Sequence, residues 1–136
     1  MNATPIKVLV IDDEPSVCRV IETVLTAAGY TVTTAPDGRS GIEAAEKQDF
    51  SVAIVDLCMP NLNGIDTMRE FRAMAPHMKL IAMSGLMSSS GGNTAPDFLG
   101  MAINFAGIPK LSKPFRRIEL LDVVEQVAQK KTSDAA

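Results

Sequence analysis

A run of aliphatic residues that breaks off into three consecutive acids, KVLVIDDEPSV from Lys7 to Val17, restricts the folds open to this chain more than any other stretch. A strand with one wet face alternates apolar and polar residues. From Ile6 to Asp12 only Lys7 interrupts the apolar character, so both faces of this strand need cover. Sheets covered on both sides are built from parallel strands joined by helical crossovers, and the following residues supply that rhythm. Pro15 suits the first turn of a helix, Val17, Val20, Ile21, Val24, Leu25 and Ala28 recur at helical spacing, and Gly29 ends it. Tyr30 to Ala35, rich in Thr and Val, reads as a second strand, Pro36-Asp37-Gly38 as a turn, and Ser40 to Lys47 as a short helix.

The cycle then recurs. Ser51 to Asp56 is an apolar strand ending in an acid, MPNLNG is a loop, and Ile65, Met68, Phe71, Arg72 and Ala75 mark a helix that Pro76 closes. Lys79 to Met83 reads as the fourth strand and Gly85 to Pro96 as a loop of small residues. Phe98 to Phe105 reads as a helix, Ile108 to Ser112 as a short fifth strand, and Arg116 to Lys130 as a last helix with Leu120, Leu121, Val124 and Val127 inward. Five such alternations predict an α/β fold, a doubly wound five-stranded parallel sheet with helices on both faces and right-handed crossovers. A chain of 136 residues suffices for one core. No linker divides it, so residues 1–136 are expected to form a single domain with its core over about 6–130 and short flexible tails.

Bulk properties remove several functions. The chain is 46% hydrophobic and 21% charged, as ordinary globular proteins are. A net charge of -3, with Lys and Arg clustered only at the C-terminal end, speaks against a nucleic-acid surface. The longest apolar runs are too short for a signal peptide or membrane span. Cys18 and Cys58 have neither the number nor the spacing of a disulfide framework or zinc site, so a reducing, cytoplasmic setting is expected.

In open parallel sheets ligands sit beyond the carboxyl ends of the strands. Asp12 and Asp13 end the first strand and Asp56 ends the third, so neighbouring strands would crowd the three carboxylates. Two unit charges about 4 Å apart repel by roughly 1 kcal/mol in water and about 4 kcal/mol at an effective dielectric near 20, which calls for a proton or a cation. Oxygen ligands without His or thiolate favour magnesium or manganese over zinc. Glu14 reads as an acid placed well at a helix start. Lys113, ahead of Pro114 at the end of the fifth strand, reaches the same edge and has the charge to hold a transferred phosphoryl group.

VLVIDDEP, AIVDLCMPNLNGID, LIAMSG and LSKPF, in this order and at these strand ends, resemble the receiver domain of two-component response regulators over about Lys7 to Lys130. The resemblance implies a flavodoxin-like strand order, 2-1-3-4-5, with Asp56 as phosphoacceptor and Asp13 as a direct magnesium ligand. Asp12 would act largely through water, and the main-chain carbonyl of Cys58 would complete the protein ligands. Ser84 would bond a phosphoryl oxygen, Lys113 would pair with the acids and then with the phosphoryl group, and Lys113–Pro114 would be cis. The implied donor is a phosphohistidine on a sensor histidine kinase or histidine phosphotransfer protein, and the output is contact with a downstream protein target. The resemblance thus points to a stand-alone signalling switch or phosphorelay intermediate, and not to an enzyme.

The chain also departs from the family. Lys110 stands where an aromatic residue is usual, and the stretch from Ser84 to Lys113 is longer than the family leads one to expect. Cys58 and Leu86 occupy positions that tune hydrolysis of the acyl phosphate, and neither side chain orients water well, which implies a long-lived phosphoryl state. Three rival readings are a magnesium-dependent phosphohydrolase, a pseudo-receiver that docks without phosphate, and a receiver segment of a longer regulator. The first would want a second acid two residues after its first-strand nucleophile, a spacing that Asp12-Asp13-Glu14-Pro15 does not supply.

Overall fold

The computed structural model describes residues 5–57, 64–84 and 107–135, with side chains of the last helix described as far as Ala128. Five strands, β1 (Lys7–Ile11), β2 (Thr31–Ala35), β3 (Val52–Asp56), β4 (Lys79–Ser84) and β5 (Lys110–Ser112), form one sheet in the order β2-β1-β3-β4-β5. Every pairing is parallel. Four helices accompany them among the described residues: α1 (Pro15–Ala27), α2 (Gly38–Lys47), α3 (Gly64–Met74) and α4 (Arg117–Ala135). The expected fold class and strand order are both borne out.

The two-residue period of the strands explains why the central runs are apolar throughout. Leu9, Ile11, Ala53, Val55, Leu80 and Ala82 face one side and pack with Ile65, Met68 and Phe71 of α3. Val8, Val10, Val52, Ile54, Ile81, Met83 and Leu111 face the other and pack with Cys18, Ile21 and Leu25 of α1 and Leu120, Val124 and Val127 of α4. Each Val, Leu, Ile, Met or Phe side chain among them contributes about 1.5–3 kcal/mol when fully buried, so neither face can be left to solvent.

Helix ends follow local chemistry. Asp37 caps α2 by accepting a 2.8 Å hydrogen bond from Ser40 N, and this starts the helix at Gly38, two residues before its expected start at Ser40. That bond holds the Asp37 carboxyl below its usual range. Before α4, Arg116 N donates to Glu119 Oε1 at 2.8 Å, the reciprocal half of a capping box. Gly29, at φ 101°, turns the chain out of α1 in a conformation that side chains resist. Val20, placed by its spacing on the apolar stripe of α1, is instead 52% exposed, because Cys18, Ile21 and Leu25 define the buried line. The last helix runs five residues beyond its expected end at Lys130. The helix expected over Phe98 to Phe105 and the loop from Gly85 to Pro96 lie outside the described residues.

Candidate metal and phosphoryl site

Strand register brings the site together. Ile11 pairs with Val55, so Asp12 and Asp56, one residue further on, emerge side by side. Asp56 pairs with Met83 and Met83 with Leu111, which leaves Ser84 level with Ser112 and delivers Lys113 to the same edge. Main-chain bonds fix these ends: Asp12 N donates to Ala35 O at 3.1 Å, Leu57 N to Met83 O at 2.9 Å, and Lys113 N to Ser84 O at 2.8 Å. The Lys113–Pro114 peptide is cis, as the resemblance implied.

Asp12, Asp13 and Asp56 each offer a carboxylate oxygen, and these oxygens lie within 4.8 Å of one another. Asp12 and Asp56 are buried at the sheet end, whereas Asp13 is exposed. The Lys113 ammonium stands among the acids, 2.8 Å from Asp12 Oδ2, 3.4 Å from Asp56 Oδ2 and 3.6 Å from Glu14 Oε1. Burial works against that ammonium, but the contact with Asp12 and the charges of Asp56, Asp12 and Glu14 outweigh it, and its pKa is raised. Asp12 Oδ1 is engaged by Glu14 N at 2.9 Å. Asp12 Oδ2 meets the ammonium at ion-pair distance but outside hydrogen-bond alignment, so a buried oxygen keeps lone pairs to spare.

A hard dication suits this donor set. The acids are held together at a cost in mutual repulsion, one buried oxygen is under-satisfied, and Asp13 stands open to solvent. The nearby sulfur does not change that preference. Cys18 Sγ donates to Asp12 O at 3.4 Å, and burial, helped by the Asp12 charge, pushes the thiol up to about 11, so it is no thiolate ligand at neutral pH. A groove of about 270 Å³ opens beside the acids, lined by Asp12, Asp13, Cys18, Arg19, Glu22 and Thr34 among others. The larger groove of about 320 Å³, which includes Lys79 and Pro109, lies at the opposite edge of the sheet and takes no part in this chemistry.

A family model described as the response regulator receiver domain matches residues 8–125. The chain belongs to that family. Among curated relatives, it is 34% identical over 83 residues to the probable transcriptional regulatory protein TcrX of Mycobacterium tuberculosis, which covers 61% of this chain and 36% of that protein. It is 26% identical over 129 residues to the cell cycle transcriptional regulator CtrA of Caulobacter vibrioides, covering 95% of this chain and 53% of that one. This receiver domain thus spans about half, or less, of those relatives. Among solved structures it resembles the chemotaxis protein CheY4 of Vibrio cholerae at a TM-score of 0.79 and 28% identity, over 91% of this chain and 99% of that chain. Among the described residues, no helix is long and apolar enough to cross a membrane.

Asp12, Asp13, Asp56 and Lys113 therefore converge as the sequence led us to expect, and Ser84 ends β4 beside them. Cys58 and Leu86 lie outside the described residues. Lys110 is exposed at the start of β5. Two contributors were not legible. Glu14, read as a helix-start acid, does stand at the N-cap of α1, but its side chain makes no cap bond and turns to Lys113 instead. Gly64, read as part of a loop, begins α3 directly against the Asp56 main chain, and nothing in NLNG announces that contact.

Proposed function

We propose that this receiver domain is a phosphorylatable switch in which Asp56 accepts a phosphoryl group from phosphohistidine on a sensor histidine kinase or histidine phosphotransfer protein. The observation that supports the proposal is the setting of Asp56, a buried carboxylate beside Asp12 at the ligand-binding end of the sheet, with the Lys113 ammonium in reach of both. An Asp56 oxygen attacks phosphorus, a P–O bond forms, the P–N bond to the donor imidazole breaks, and the imidazole leaves with the bonding pair. Asp12, Asp13, Asp56 and the main-chain carbonyl of Cys58 would hold magnesium, with manganese an acceptable substitute. Bound there, the dication supplies positive charge against the phosphoryl oxygens.

The remaining work falls to the chain. Lys113 would exchange a carboxylate partner for a phosphoryl oxygen, and the hydroxyl of Ser84, which ends β4, would donate to another. Positioning and charge neutralisation are the main catalytic contributions to such a transfer. Because the product stays on the protein, the chain acts as a switch or relay and not as an enzyme that turns over. Its output is contact with a downstream protein.

Phosphoramidate, a small donor with a P–N bond, tests the proposal without a partner. With magnesium the protein should gain one phosphoryl group, seen by intact-mass spectrometry, and with excess EDTA none. Labelling that ignores EDTA, or no labelling in either condition, would overturn the proposal.

A further inference from the structure

The proposed function commits Asp12, Asp13 and Asp56 to the dication and the phosphoryl group, and leaves one acid at the site without a task. Glu14 has a side chain 61% exposed at the mouth, yet its Oε1 is 3.6 Å from the Lys113 ammonium. That ammonium is also 3.4 Å from Asp56 Oδ2, so Glu14 Oε1 is no more than 7.0 Å from this oxygen of the phosphoacceptor carboxylate. In the resting state Lys113 partly neutralises Glu14. During transfer the ammonium turns to the phosphoryl oxygens, and Glu14 then faces the incoming group uncompensated. Arg19, an exposed cation of α1, lines the adjoining groove together with Asp12 and Asp13.

We infer that Glu14 is a specificity-determining residue of this site, an anionic gate that penalises phosphodonors in proportion to the negative charge they bring. This inference rests on Asp56 being the phosphoacceptor. Two small donors of different charge read it out. Acetyl phosphate is a dianion near neutral pH; when it reacts, the Asp56 oxygen bonds to phosphorus, the P–O bond to the acetyl group breaks, and acetate leaves with the electron pair. Phosphoramidate is a monoanion with its proton on nitrogen; its P–N bond breaks in the same attack, and ammonia leaves with the pair. Lys113 and the rest of the site are the same in parent and variant, so the change in the ratio of the two rates on replacing Glu14 isolates its charge.

A unit charge about 7 Å away in water corresponds to about a threefold change in rate at low ionic strength. Glu14→Gln should therefore raise labelling by acetyl phosphate relative to phosphoramidate by about threefold, and the gain should fade toward nothing in about 1 M salt, where the screening length drops to roughly 3 Å. Glu14→Asp, which keeps the charge, should stay close to the parent ratio. Asp49→Asn, an exposed acid preceding β3 at the far edge of the sheet, should not move it. The Glu14 side chain makes no cap bond, so its replacement leaves α1 intact. If both donors label the parent and Glu14→Gln leaves their ratio unchanged, this inference falls alone. If neither donor labels the parent, it falls together with the proposed function.

Discussion

Lys113→Met should cost about 3 kcal/mol of stability when measured in urea with EDTA present. The lysine side chain is 15% exposed, but its partners Asp12 and Asp56 have side chains 0% and 3% exposed. Methionine fills a similar volume and leaves both carboxylates buried without their cation. Removing one member of a buried ion pair is expensive because the other loses its compensation, and here two are left. Magnesium should then restore stability to the variant, and by more than it adds to the parent, since the ammonium no longer competes for Asp12 and Asp56. A variant as stable as its parent in EDTA would show that Lys113 does not neutralise these acids.

The pH dependence follows from the sign of the Lys113 shift. Its pKa in the folded protein is raised, on balance, by Asp12, Asp56 and Glu14 against the effect of burial. Its stabilising contribution is therefore complete below the ordinary lysine value and is lost only as pH climbs through the raised one. Lys113 gives stability no slope across neutral pH. A stability curve that fell between pH 7 and 8 would need another group to explain it.

Gly64→Ala should do comparable damage by a different route. A Cβ at Gly64 would collide with the Asp56 carbonyl oxygen and lie 2.6 Å from Leu57 Cα and 2.9 Å from the Asp56 carbonyl carbon. All of these are main-chain atoms of the strand end, which cannot swing aside as a side-chain tip would, so the start of α3 or Asp56 itself must shift. Overpacking of this kind costs about 1–3 kcal/mol, and a misplacement of roughly 1 Å at a reacting group costs on the order of a hundredfold in rate. We therefore expect Gly64→Ala to lose about 2 kcal/mol and to be labelled by phosphoramidate about a hundredfold more slowly. Labelling at the parent rate would mean that the helix start does not set the position of Asp56.

The contrast between Asp56 and Gly64 shows what was legible in the sequence. The continuous apolar runs at Val8–Ile11 and Val52–Val55 could be satisfied only in a sheet covered on both faces, and the alternation with helical spacing left parallel connection as the solution. Once the strands were parallel, acids at the ends of two of them and a lysine at the end of a third fell at one edge of the sheet, and the strand order that the family resemblance implied made the two acid-bearing strands neighbours. Contacts that depend on how elements approach were not derivable. Val20 shares the helical spacing of its buried neighbours, but the sheet meets α1 along Cys18, Ile21 and Leu25. Glu14 has the right residue type for a helix start, and the position of Lys113 across the site drew it elsewhere. Gly64 is a loop residue by composition and a steric requirement only in three dimensions.

The site as a whole sets like charges side by side, a costly arrangement that makes chemical sense if a dication and a phosphoryl group complete it. Asp56→Asn tests this most directly, because it keeps the shape of the side chain while replacing the attacking carboxylate by an uncharged amide. Parent and variant are incubated with magnesium and phosphoramidate and compared by intact-mass spectrometry. The parent should gain one phosphoryl group and the variant none; stoichiometric labelling of Asp56→Asn would contradict the account.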